Sequence, residues 1–332
     1  MLRITFINVG YGDSILIEEL QGTKRTFAML VDGGKPYDQV DRFEYDGHPG
    51  RTPVLPYLKS HEVEKLDVVM LTHFHIDHVG GLPDVLKALP YGEIWANCSI
   101  PEQFPMGNCV IPENSSPESL AMFRSLSLLS EIKNIARKHG KEIMLFKKHE
   151  FGSNLGHGIL VDKYAVTPRF NMKMNMLLKG IGSQPPEELE TRLFALDQGQ
   201  NASCIALRVS YAGKSALLAA DLPSPYWNSI LDEGGHSIRA DILKFPHHGQ
   251  SDGASKHFAA EVEPKHVVFC VSEDNPFGCP KKAAFSYFNP SVHFHSTGYV
   301  DVPQLLPPTL PHRAVVFEIA DDSTIAWFPE NA

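Results

Sequence analysis

The sequence predicts an α/β protein, on three observations. Short runs rich in β-branched and aromatic residues recur along the chain and read as strands. Helical segments fall between them, with turn residues marking the joins. Ligand-type side chains recur just past strand ends, at Asp32, His73, Asp221 and His248, and a rigid sheet delivers groups to one rim in that way.

The first elements read as a meander of Leu2 to Val9, Asp13 to Glu19 and Thr26 to Val31, closing in Asp32-Gly33-Gly34. A polar loop over 35–53 precedes a short helix, Val54 to Ser60, and the apolar strand Leu66 to Leu71. A helix from Asp84 to Leu89 and a strand from Glu93 to Ala96 follow. The segment of about 98–200 is looser, around a helix from Pro117 to His139 and a strand near Glu142 to Phe146. It reads as an elaboration within one domain spanning 1–332, placed to shape a pocket. Its methionine-rich piece, Asn171 to Leu178, reads as adaptable packing rather than a copper site. Strands return at Ala202 to Ser210 and Ser215 to Ala220, joined through Ala212-Gly213-Lys214. A loop or helix, Pro223 to Glu233, leads to strands at Asp241 to Phe245, His266 to Val271, Val292 to His295, Ala314 to Ile319 and Thr324 to Phe328.

Composition narrows the function classes. The start MLRITFINVG lacks the basic and long apolar regions of a secretory signal, and no window reaches a membrane-spanning length. The cysteines, Cys98, Cys109, Cys204, Cys270 and Cys279, are scattered and never form a CxxC pair, so neither a disulfide framework nor a zinc finger is expected. A reducing cytoplasm is the expected home. A net charge of −9 disfavours long duplex nucleic acid, whose binders carry a basic face. The densest basic run, Lys133, Arg137, Lys138, Lys141, Lys147 and Lys148, reads as a solvated face.

The chemistry concentrates in THFHIDHVGG, directly behind an apolar strand. In extended chain, residues two apart point the same way, so His73 and His75 converge on one point. Asp77 and His78 follow where Gly80-Gly81 and Pro83 mark a turn into a helix, and they face a second point. Imidazole with carboxylate is a donor mixture that zinc accepts, and that also suits manganese or iron.

HFHIDH resembles the HxHxDH motif of the metallo-β-lactamase superfamily of hydrolases. The strand end Asp32-Gly33-Gly34, the aspartate of LLAAD and the histidines of KFPHHG occur in that family's order. NVGYGDSILIE, LKFPHHGQSDG and EDNPFGCP are similar to segments of a narrower branch, the soluble metal-binding domain of DNA-uptake competence channel proteins and its free-standing relatives, including phosphocholine esterases. The resemblance implies an αββα four-layer sandwich, two mixed sheets face to face with helices outside. It also implies two divalent metal ions, with His73 and His75 on the first, Asp77, His78 and His248 on the second, and Asp221 bridging both. His248 is preferred to His247 because a small residue, Gly249, follows it; His247 then lies behind the site or faces substrate. Asp32 would orient a metal histidine by hydrogen bonding. Asp13, after a glycine turn, reads as structural.

Two departures stand out. Where most of the superfamily has a further histidine before the bridging aspartate, this chain reads Gly199-Gln200-Asn201-Ala202-Ser203, so the first metal is one strong ligand short: either water or the Asn201 amide would fill the gap, or His73 and His75 would bind metal weakly. Cys279 stands where the branch has histidine, read as a core residue or a weakened substrate contact. The implied reaction is hydrolysis by a metal-bound hydroxide. Phosphodiester cleavage comes first, on a nucleotide, a short single strand or a phosphorylated head group. Lys244, Ser251, Asn275 and Thr297 are the expected phosphate contacts, and His247 or His295 the expected proton donor to the leaving group. A lactone, thioester or lactam hydrolase, or a binding or scaffold protein with a residual metal site, are the alternatives. The oligomeric state is left open.

Overall fold

The computed structural model describes residues 1–331 apart from 102, 106–108, 147–148, 166–167, 235–236, 274 and 306–310, and the side chains of 168–171 are likewise outside the described set. Lys147, Lys148, Asp274 and the Asn171 side chain, named above, fall outside it.

The chain opens with β1 (Leu2–Ile7), β2 (Ile15–Gln21) and β3 (Lys24–Val31), then α1 (Val54–Ser60), β4 (Leu66–Leu71), α2 (Ile76–Val79), α3 (Leu82–Ala88) and β5 (Tyr91–Ala96). The middle holds α4 (Pro117–Lys138), β6 (Ile143–Leu145), β7 (Glu150–Gly156), β8 (Ile159–Ala165), α5 (Pro168–Leu178) and α6 (Pro186–Gln200). It ends with β9 (Ile205–Tyr211), β10 (Lys214–Leu218), α7 (Ser224–Glu233), β11 (Ile242–Lys244), α8 (Lys256–Val262), β12 (His266–Phe269), α9 (Lys282–Ser286), β13 (His293–Ser296), β14 (His312–Ile319) and β15 (Ile325–Asn331).

Two mixed sheets result, in the orders β15-β14-β1-β2-β3-β4-β5-β6 and β13-β12-β11-β10-β9-β8-β7. Strands β3 to β6 run parallel, as do β10 to β13. Strand alternation sets the layers. In β4, Val68 and Met70 face the inter-sheet core with Leu207, Ala216 and Ile242, while Val69 and Leu71 face the helices α1, α3, α4 and α6. In β10, Leu218 faces inward and Leu217 packs outward on Trp227 of α7 and Phe258 of α8. That is the expected αββα sandwich. Buried on both faces, these parallel strands read as continuous apolar runs. The longest helix, α4, starts where Ser116 accepts the Ser119 N–H at 3.1 Å with Pro117 in its first turn.

The segment expected to be an elaboration contributes more than that. It supplies β6 to one sheet, β7 and β8 to the other, and α4 and α6 to an outer layer. In α5, Met174 is buried while Met172 and Met176 are exposed. Arg137, Lys138 and Lys141 are exposed on and after α4. Among the described residues, no helix is long and apolar enough to cross a membrane.

Candidate metal centre

Strand ends and tight turns bring the predicted residues to one rim. Beyond β4, His73 and Phe74 lie outside regular structure, His75 is extended and α2 begins at once, placing Asp77 and His78 in its single turn. The loop after β1 presses on that turn: Gly12 has φ +146, and a Cβ there would lie 2.3 Å from the Asp77 carbonyl oxygen, so only glycine allows the approach. Four non-glycine residues of the rim, Asp32, Ala220, His247 and His248, have positive φ. Such conformations cost of order 1–3 kcal/mol each and cluster where a structure must aim side chains.

The hydrogen bonds behind each imidazole settle its tautomer. His248 Nδ1 is 2.9 Å from the Cys270 carbonyl oxygen, which can only accept, so Nδ1 carries the proton. His78 Nδ1 donates to Asp32 at 2.8 Å. The Thr72 hydroxyl donates to Asp32 at 2.6 Å and therefore accepts from His73 Nδ1 at 3.1 Å. His75 Nε2 faces the Asp197 carbonyl oxygen at 3.2 Å and carboxylate at 3.4 Å, both acceptors.

Four lone pairs are thereby turned inward. His73 Nε2 and His75 Nδ1 lie 3.0 Å apart. His78 Nε2 and His248 Nε2 lie 3.3 Å apart. Asp221 Oδ2 is 3.1 Å from His248, 3.3 Å from His78 and 4.0 Å from His73, and Asp77 Oδ2 is 3.5 Å from His248 and 3.9 Å from His78. Acceptors facing acceptors in a buried pocket need a proton or a metal ion between them, and this donor set fits divalent metal. Without a metal ion, protons take the cation's place. Burial would lower the pKa of His78 and His248, yet Asp221 and its neighbouring carboxylates raise both, His248 to about 9. Burial opposes ionisation of Asp77 and Asp221, but the histidines hold both pKa values down. His73 is lowered by burial, then by His78 and His75.

His73, His75, Asp77, His78, Asp221 and His248 thus converge, and Asp221 Oδ2 is the oxygen common to both halves. Asp32 stands behind His78 directly and behind His73 through Thr72. His247 stays on the rim: Nδ1 is 2.8 Å from Asp252, and Nε2 receives the amides of Asn201 at 3.0 Å and Gln250 at 3.1 Å. The Asn201 side-chain oxygen, Oδ1, is buried without a hydrogen-bond partner.

The expected phosphate contacts mostly lie elsewhere. Lys244 is fully buried, 2.5 Å from Asp13 and 3.1 Å from Asp221 Oδ1. It cannot face substrate, because it shares the inward face of β11 with Ile242; instead it fixes the bridging aspartate. Thr297 is also fully buried, its hydroxyl accepting the Val271 N–H at 3.1 Å. Asn275 ties its own loop, donating to the carbonyls of Ser272 and Cys279. Only Ser251 is exposed, on the turn after His248. Cys279 is buried, as the core reading has it. His295 lies in β13, hydrogen-bonded to His266 at 3.1 Å and against Trp327, not on the rim.

Sequence reasoning missed Tyr11, Thr72 and Asp197. Tyr11 packs its ring 4.5 Å from that of His248 and 5.3 Å from that of Phe277. Burial, then Asp77 and Asp221, push its phenol pKa up, so it stays a proton-bearing group. Its signal was the bulky residue inside NVGYGDS, and the signal for Thr72 was its place directly before His73.

Residues 7–97 match the family model of the metallo-beta-lactamase superfamily, the family the motif resembles. ComE operon protein 3 of Bacillus subtilis (strain 168) is 21% identical over 284 residues, covering 84% of this chain and 29% of that protein. A hydroxyacylglutathione hydrolase of Vibrio parahaemolyticus is 46% identical over 39 residues, 12% of this chain and 15% of that protein. The chain therefore spans less than a third of either relative. The crystal structure of a diphosphatase from the PhnP family aligns over 100% of both chains with a TM-score of 0.41 and 14% identity.

Proposed function

We propose that this chain, whose residues 7–97 carry the metallo-beta-lactamase superfamily match, is a two-metal hydrolase that cleaves a phosphodiester in a nucleotide, a short single strand or a phosphorylated head group. The observation that carries the reading is the inward convergence of four imidazole lone pairs on Asp77 and Asp221. Two divalent ions held there, zinc first and manganese or iron compatible, would activate water and polarise a phosphoryl oxygen. Phosphoryl transfer suits such a clamp, because its charge is spread over several oxygens.

The chain's own groups supply the rest. Lys244 holds Asp221 Oδ1 and leaves Oδ2 to both half-sites. Asp32 fixes two ligand histidines. His247, held through Nδ1 by Asp252, turns toward the rim an Nε2 that accepts the Asn201 and Gln250 amides; it would serve the leaving group as a proton donor once substrate displaces those amides and the ring takes up a proton. The Tyr11 phenol lines the same side.

The test is hydrolysis of bis(p-nitrophenyl) phosphate with zinc or manganese, comparing the native chain with Asp77→Asn and Asp221→Ala. Turnover that vanishes in both variants is expected. A thioester reading is favoured by the short stretch shared with hydroxyacylglutathione hydrolases, so an S-acyl glutathione belongs in the same assay. Folded, metal-loaded protein that cleaves only the thioester overturns the phosphodiester reading. Failure to take up metal supports a binding role.

A further inference from the structure

We propose that Asp197 is a positioning residue for the first metal half-site, its carboxylate reinforcing the hold of its backbone carbonyl on His75 Nε2–H so that Nδ1 meets His73. The inference rests on the two-metal reading and concerns the half-site that lacks the superfamily's further histidine.

The grip comes from the last turn of α6. Asp197 and Gln200 are three apart on that helix and share a face, and both reach the motif. The Gln200 side chain, fully buried, accepts the Phe74 N–H at 3.0 Å. Asp197 approaches His75 Nε2 at 3.2 Å with its carbonyl oxygen and at 3.4 Å with its carboxylate, whose other oxygen takes the Gln198 amide at 3.1 Å. Ser203 and Asn97 brace the helix end from behind, through Ser203 Oγ to the Gln200 carbonyl and Asn97 to Ser203. The peptide His73-Phe74-His75 is thus clamped to α6 at two consecutive residues.

The half-sites then match in design. Each has a carboxylate directly behind an imidazole: Asp32 and Asp13 behind His78 and His248, and Asp197 behind His75, while Asp32 reaches His73 only through Thr72. Such a carboxylate fixes the tautomer and makes the facing nitrogen a stronger donor. A half-site with only two imidazoles and the shared Asp221 has the greater need of it. Asp197 lies on the far side of the ring from the convergence point, so it acts through His75 and is not itself a ligand.

The test compares native protein with Asp197→Asn, which keeps shape and removes charge, and with Asp197→Glu, which restores a carboxylate. Zinc affinities are read by competition with a chelating indicator, and long-range 1H–15N NMR during zinc titration assigns each binding step to its imidazoles. The expected result for Asp197→Asn is a loss of about tenfold to a hundredfold at the step sensed by His73 and His75, with partial recovery in Asp197→Glu. The step sensed by His78 and His248 should stay within about twofold. Native-like affinity at both steps in a folded Asp197→Asn protein overturns the positioning role and leaves the two-metal reading standing. A native protein that shows no metal-dependent shift at His73 and His75 overturns the two-metal reading itself.

Discussion

His247 and His248 are neighbours in the chain, both at positive φ, and yet they serve different surroundings. His248 faces two carboxylates and a second imidazole, whereas His247 meets Asp252 and two amides on the rim. His248→Ala should therefore lose one equivalent of metal together with turnover. His247→Ala should keep its metal and lose turnover by about 10²–10⁴-fold. Metal analysis run beside the assay separates the two, and equal metal loss in both variants would contradict the assignment. Lys244 makes a further demand at this scale. Lys244→Met leaves Asp13 and Asp221 buried without their cation, and breaking such a pair costs roughly 3–5 kcal/mol. Denaturant melts of the metal-free protein should show the loss. The convergence of His73, His75, Asp77 and His78 was legible because their spacing is local, whereas Asp221 and His248 showed only as ligand-type residues past strand ends. Lys244 was misread because its partner Asp13 comes from the far end of the chain, although its parity with Ile242 on β11 already pointed it inward. Asp197 was invisible for the same reason: a carboxylate within a polar helix carries no mark of the histidine it meets.

The site depends on elements that press against each other as much as on its ligands. The β1–β2 loop lies directly on the first turn of α2, where Asp13 N–H donates to the Asp77 carbonyl at 3.2 Å, and the turn after β3 adds Gly33 N–H to the His78 carbonyl at 2.6 Å. Gly12→Ala would drive a Cβ into that carbonyl from a φ that L residues rarely adopt. The expected cost is about 1–3 kcal/mol, as for overpacking, with weaker metal uptake because Asp77 moves; thermal melts with and without zinc report both. An unchanged melt and unchanged uptake would show that the loop yields freely. Elements were legible where pattern and burial agree. Strands β1 to β5 and β9 to β12 are apolar runs bounded by turn residues, and α4 has both its cap and its apolar stripe. Strand β7, EFGSNLG, is glycine-containing with no fully buried residue, so it shows no alternation. Helix α6 begins within a proline pair and carries its buried stripe, Leu189, Leu193 and Leu196, in an otherwise acidic, polar stretch. Both take their structure from neighbours, β7 from β8 and α6 from α4 and the histidine motif.

Across the whole molecule, the two sheets join at their C-terminal rim through the site and also at an edge through a second set of histidines. His266 on β12 and His295 on β13 share a hydrogen bond of 3.1 Å, and they pack on Phe317 of β14 and Trp327 of β15, which belong to the opposite sheet. Burial, then neighbouring imidazoles, lowers His266 to about 4 and His295 to about 3 from the ordinary 6.5. Between those values the unfolded chain binds protons that the folded pair refuses, so stability must fall as pH drops from about 6.5 toward 3. The groups facing the pair include His293 and Lys265, which oppose the added charge, and Asp241, which favours it. Replacing His295 by Leu removes one titrating ring from this inter-sheet contact while keeping an apolar side chain against Trp327. Its stability, measured by urea melts of the metal-free protein from pH 7 to pH 4.5, should fall less steeply with acid than that of the native chain. Equal slopes would place the acid sensitivity in the carboxylates of the rim instead, and the edge histidines would then be ordinary packing between the sheets.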